Sequence, residues 1–69
     1  MEQWVDYWFV VITDGGDLEG EEFLVEVRND IDAHDMAWDI ACENFPNEDL
    51  RCYGRISVEE AEMLGLDTY

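Results

Sequence analysis

Residues 3–13 read Gln3-Trp4-Val5-Asp6-Tyr7-Trp8-Phe9-Val10-Val11-Ile12-Thr13, and their pattern decides the fold. Successive side chains of a strand point to opposite faces. Trp4, Trp8, Val10 and Ile12 therefore share one face, and Val5, Tyr7, Phe9 and Val11 the other. In the second half of the stretch both faces are apolar, which places the strand at the centre of its sheet. Asp14-Gly15-Gly16-Asp17 is a strong turn signal, and Gly20 closes the same loop. Glu21–Arg28 forms a second strand, with Phe23, Val25 and Val27 inward and Glu22, Glu26 and Arg28 outward. Leu24 is the exception, an apolar residue on the charged face. The short connection makes the pair an antiparallel hairpin.

Asn29-Asp30 breaks the second strand. Asp30 or Asp32 can cap a helix that runs to about Phe45. Its buried stripe is Ala33, Met36, Ala37, Ile40, Ala41 and Phe45, spaced by three or four residues. Pro46 ends the helix, because the residue before a proline is pushed out of helical geometry. Asn47–Asp49 form a polar loop. Leu50–Ile56 is a third strand, with Leu50, Cys52 and Ile56 on one face and Arg51, Tyr53 and Arg55 on the other. Ser57-Val58-Glu59-Glu60 matches the capping box of a short helix to Leu64, and Gly65 sits where a helix-ending glycine belongs. The order β-β-α-β-α predicts an α+β fold. A small antiparallel three-stranded sheet is packed against one main helix on one face, with a short C-terminal helix. We find no repeat, linker or low-complexity tract, so residues 1–69 read as a single compact acidic domain.

The size of that domain limits it. A chain near this length buries only about 60% of the surface it exposes unfolded. Nineteen Asp and Glu stand against three Arg and no Lys, a formal net charge of −16. Phosphate backbones and anionic lipids need clustered basic residues, so direct nucleic-acid and membrane binding are excluded as expectations. A membrane span needs about 20 apolar residues, and the longest apolar run here is Trp8–Ile12. The N-terminus lacks the basic and apolar regions of a signal peptide, which predicts a cytoplasmic protein. Disorder does not suit a chain that is 48% hydrophobic and 13% aromatic.

Catalytic chemistry is poorly supported. Ser57, the one serine, is assigned to a helix cap, and His34, the one histidine, reads as a solvated side chain paired with a neighbouring carboxylate. A glycosidase needs two carboxyls in a substrate-sized cleft, for which the chain has little room. Counting calcium-loop frames from Asp14, Asp17 and Asp30 puts Val25, Arg28 and Ala41 where the final glutamate is required. The glycine-rich loop lacks the lysine and spacing of a phosphate cradle. Cys42 and Cys52 match no zinc pattern and read as buried reduced thiols or, alternatively, one helix-to-strand disulfide. The expectation is a non-enzymatic protein with no cofactor and no metal.

The acidic surface is then the active element. Compactness scaling predicts a globule roughly 28 Å across, and that length of B-DNA carries about 16 negative charges. Asp32, Asp35, Asp39 and Glu43 recur at spacings of three and four, one stripe along the exposed side of the main helix. Glu48 and Asp49 extend it. Like charges four apart oppose helix formation by about 0.2–0.5 kcal/mol per pair, and no lysine answers them. Asp14, Asp17, Glu19, Glu21 and Glu22 form a second cluster, and Glu59, Glu60 and Glu62 a third. Arg51 and Arg55, on a face with Tyr53, either pair with nearby acids or form a contact island. Trp4, Trp8, Phe9, Phe23 and Phe45 read as core. Trp38 is either core edge or a partly exposed anchor, since Trp is enriched in interface hot spots.

A short, acidic, motif-free folded chain resembles the DNA-mimic inhibitors of phages and mobile elements, and among them a small anti-CRISPR protein of the kind that acts on type I-C systems. Size, charge and the β-β-α-β-α pattern carry the resemblance over the whole chain. It implies a monomer or weak dimer whose partner is a basic nucleic-acid-binding protein, a subunit of a CRISPR effector complex. Its carboxylates would take the places of phosphates, and Asp32, Asp35, Asp39, Glu43, Glu48 and Asp49 would make the contact. Two other readings stay open. One is an acidic adaptor of another basic protein, such as a restriction enzyme, sigma factor or histone-like protein. The other is an ordinary domain from a halophile, whose self-repulsion is screened by salt.

Overall fold

The computed structural model describes residues 3–13 and 18–69. Strand β1 spans Trp4–Thr13, β2 Leu18–Arg28, helix α1 Ala33–Asn44, β3 Asp49–Ile56 and helix α2 Val58–Leu64. The three strands form one antiparallel sheet in the order β2-β1-β3, so the doubly apolar β1 is central as its pattern requires. Phe9 and Val10, neighbours pointing to opposite faces, are both fully buried. The first strand pair begins earlier than the sequence predicts. Leu18, Glu19 and Gly20 already belong to β2 rather than to the connecting loop, and the turn expected at residues 14–17 lies outside the described residues.

One face of the sheet carries α1. Tyr7, Phe9 and Val11 of β1 and Phe23, Val25 and Val27 of β2 pack against Ala33, Ala37 and Ala41. Three alanines at four-residue spacing let the helix approach closely, and the aromatic rings fill the space. Phe23 stacks on Phe9 and Phe45 with centroids 5.6 and 4.5 Å apart. Met36, expected in the buried stripe, is exposed. At ~100° per residue it sits about 100° from the centre of the alanine stripe, beyond the edge of the contact. Trp4 is also exposed rather than core; it stands at the end of β1, beside a shallow groove shared with Val27, Met36 and Ile40.

The opposite face carries α2, so helices cover both faces and not one. This resolves the Leu24 exception. Leu24 lies opposite Trp8 and is almost completely buried. Its N–H donates to the carbonyl of Asp67 at 2.8 Å, and its carbonyl accepts from the N–H of Tyr69 at 2.8 Å. The last residues thus pair in parallel with the outer edge of β2 through Thr68, covering an edge that would otherwise expose unpaired backbone groups. Tyr69 closes the aromatic cluster, edge-on to Phe23 at 5.5 Å and Phe45 at 5.6 Å. Each such ring pair contributes about 0.5–1.5 kcal/mol. Tyr69→Ala is expected to lower stability by about 1–2 kcal/mol, seen as a lower urea midpoint with a nearly unchanged slope.

A bulge corrects the faces assigned to β3. Trp8 pairs with Gly54 and Phe9 with Cys52, leaving Tyr53 as the extra residue. Gly54 has φ +132°, a conformation side chains rarely adopt. Past this point the alternation inverts. Leu50 and Cys52 face the α1 core, whereas Ile56 joins Trp8 on the α2 face, and Arg55 turns to the side opposite Arg51 and Tyr53. The C-terminal helix follows its sequence signals closely. Ser57 Oγ accepts from the N–H of Glu60 at 3.2 Å, and Gly65 ends the helix in the left-handed conformation, φ 66°.

Candidate functional site

Helix α1 builds the acidic face. Its three buried alanines fix which side meets the sheet. With ~100° per residue, Asp32, Asp35, Asp39 and Glu43 fall within an arc of about 80° on the opposite side. All four are exposed. Asp32 occupies the N-cap position, yet its side chain makes no capping hydrogen bond. The local turn is held instead by Asp30, whose Oδ1 accepts from the N–H of Ile31 at 2.6 Å and whose carbonyl accepts from the N–H of Ala33. The last turn of α1 contains no basic residue. Asn44 folds back, its side-chain amide donating to the carbonyl of Ile40 at 2.8 Å.

Glu48 and Asp49, both exposed, follow in the turn and at the start of β3, where Asp49 pairs with Ile12. Of the other clusters, Glu21 and Glu22 stand exposed on β2, where Glu26, outside that cluster, is exposed too, and Glu59, Glu60 and Glu62 stand exposed on α2. Asp14 and Asp17 lie outside the described residues.

The other singled-out residues take structural places. Trp38 is half-buried, edge-on to Phe9 with centroids 4.9 Å apart, which is the core-edge position. Its indole N–H donates to His34 Nε2 at 3.0 Å. The partner of His34 is thus an indole one turn away rather than a carboxylate, and its ring lies 5.5 Å from that of Tyr7. Arg55 donates to the Asn29 side-chain oxygen at 3.2 Å, and the bulge separates it from Arg51, so the two do not form one island. Both cysteines are free thiols; Cys42 is exposed, contrary to the expected burial, and Cys52 is half-buried, which pushes its thiol up. Among the described residues no group of three metal-ligating side chains comes together, and no helix is long and apolar enough to cross a membrane.

One residue went unnoticed in the sequence. Asp6, a lone acid in an apolar strand, is only 2% exposed, and its Oδ1 has no hydrogen-bond partner among the described residues. It pairs across the sheet with Glu26. Burial, and then the neighbouring Glu26 charge, raise its carboxyl above the ordinary value. It lines a cavity of about 250 Å³ between the sheet and α2, together with Glu26, Glu62, Gly65 and Leu66. The only signal in the sequence was the interruption itself, a single charge where the alternation called for an apolar residue.

Searches among protein families, curated proteins and solved structures find no match to this chain.

Proposed function

We propose that this protein is a non-enzymatic inhibitor that mimics the negative charge of DNA and occupies the DNA-binding channel of a CRISPR surveillance complex, acting in the bacterial cytoplasm. The observation that supports this most directly is the acidic face of α1, where four exposed carboxylates share one side of a helix without a basic residue in its last turn. From Asp32 to Glu43 they advance about 5.5 Å per charge along the axis, against ~3.4 Å per phosphate along one strand of B-DNA. The face therefore resembles one strand at lower charge density, continued by Glu48 and Asp49.

The dimensions temper the whole-molecule comparison. The fold is elongated, 42 × 24 × 16 Å, rather than the rounder globule expected from its length. A duplex as long as the longest axis carries about 25 charges, and the chain carries a net 16. Mimicry therefore rests on the arrangement of one face, not on matching total charge. Such a surface speeds association and loses affinity as salt rises.

The test is competition for a purified type I-C surveillance complex against fluorescently labelled target duplex. The protein is expected to displace DNA at low salt and progressively less with added salt. The triple variant Asp35→Asn, Asp39→Asn, Glu43→Gln is expected to lose on the order of tenfold or more in competition, while its circular dichroism is unchanged. Full competition by this variant would remove the α1 face from the proposal. Thermal unfolding from low to molar salt addresses the halophile reading. A domain folded at ordinary ionic strength that gains only a few degrees with salt is not adapted to brine, whereas one folded only in molar salt would overturn the mimic.

A further inference from the structure

We propose that the cavity between α2 and the sheet is a socket for one basic side chain of the partner protein, an arginine guanidinium or lysine ammonium group, with Asp6 as its buried counter-charge. The inference rests on the reading above only in taking the partner to be basic.

Three features of the cavity select this occupant. Asp6 is buried, and Oδ1 has no partner among the described residues. An ionised carboxylate in that position is costly unless a cation or hydrogen-bond donor reaches it. The remaining charged groups facing it are also acidic. Glu26 lies across the strand pair and Glu62 on α2, and none of the residues lining the cavity is basic. Gly65 and Leu66, at the C-terminal and electronegative end of α2, complete the wall.

At about 250 Å³ the cavity is smaller than most small-molecule sites, which run from about 300 to 1,000 Å³. It has room for the head of one side chain. No set of three ligating side chains among the described residues forms a metal-binding group, and a guanidinium matches carboxylates through paired N–H donors. The buried acid therefore adds a specific lock to an otherwise diffuse electrostatic surface. α1 lies on the opposite face of the sheet, so the socket acts on the α2 side, where Glu26 and Glu62 supply the local negative charge.

The test uses N-acetylarginine amide as the probe, with its neutral isostere N-acetylcitrulline amide and equal NaCl as controls, followed by NMR of the whole chain. The arginine probe is expected to cause saturable shifts at Asp6, Ala61, Gly65 and Leu66 with a Kd in the millimolar range. It should also lower the titration midpoint of the Asp6 carboxyl by roughly one pH unit, as a nearby opposite charge does. Asp6→Asn should abolish the saturable shifts, and the exposed Glu62→Gln should weaken them several-fold while leaving the fold intact. Equal shifts with citrulline or NaCl, or shifts centred on Asp35, Asp39 and Glu43, would overturn the socket. If Asp6→Asn does not fold, the Glu62→Gln variant and the citrulline control still decide the matter. The probe requires no partner protein, so an empty socket and a failed DNA competition are separate results.

Discussion

Phe23→Ala is expected to leave the chain largely unfolded at 25 °C. Phe23 is fully buried and is the hub of the aromatic cluster, in ring contact with Phe9, Phe45 and Tyr69. Those contacts join β1, β2, the end of α1 and the C-terminal segment. Truncating a buried phenylalanine to alanine costs about 3–5 kcal/mol through lost transfer energy and the cavity left behind. A chain of 69 residues has only about 3–10 kcal/mol to lose. Circular dichroism and urea unfolding check this, with Phe23→Leu as the milder comparison. A cooperative transition weakened by less than about 1 kcal/mol in the alanine variant would show that the cluster is not the centre of the core.

The second large effect is expected at Asp6, and it has a sign fixed by pH. Burial and the Glu26 charge raise the folded-state value above the ordinary 3.8, so the folded chain holds the Asp6 proton more tightly than the unfolded chain. Below the ordinary value the group is protonated in both states, and its contribution is fully present. As pH rises through the raised folded value, that stability is lost. Asp6→Asn removes the titration and keeps the shape. It is expected to be the more stable protein at neutral and mildly alkaline pH, because the amide carries no charge to be desolvated there. The advantage should shrink toward acid. Urea unfolding of both proteins from about pH 4 to about pH 8 isolates the Asp6 contribution from the repulsion among the other acids, which both share. A stability difference that stays flat across that range would contradict the assignment.

The acidic face was legible because it needs only helical periodicity. Once α1 is placed between the break at Asn29-Asp30 and Pro46, the spacing of Asp32, Asp35, Asp39 and Glu43 follows from the turn of the helix. The Asp6 cavity was not legible. Its walls come from β1, β2 and α2, and nothing local to any one of them says that the other two close over that carboxyl. The role of His34 was missed for a similar reason at shorter range. The sequence offers Asp32, Asp35 and Trp38 as neighbours, and the choice of the indole depends on Trp38 being held half-buried against Phe9.

What the sequence determined by itself is whatever a period and a terminating residue can encode. It determined the central position of β1, from its two apolar faces. The antiparallel pairing of β1 with β2, the approximate limits of α1 and the Ser57 and Gly65 ends of α2 were also legible locally, because strand alternation, helix breaks and the α2 caps act within a few residues. Only the tertiary structure decided the face taken by α2, the burial of Leu24 and the pairing of the last residues with β2. It also decided the inversion of β3 at Tyr53 and Gly54. Each of these depends on contacts between segments far apart in the chain. A bulge moves every later side chain to the other face, and an apolar residue on a charged strand is explained only when a distant segment covers it.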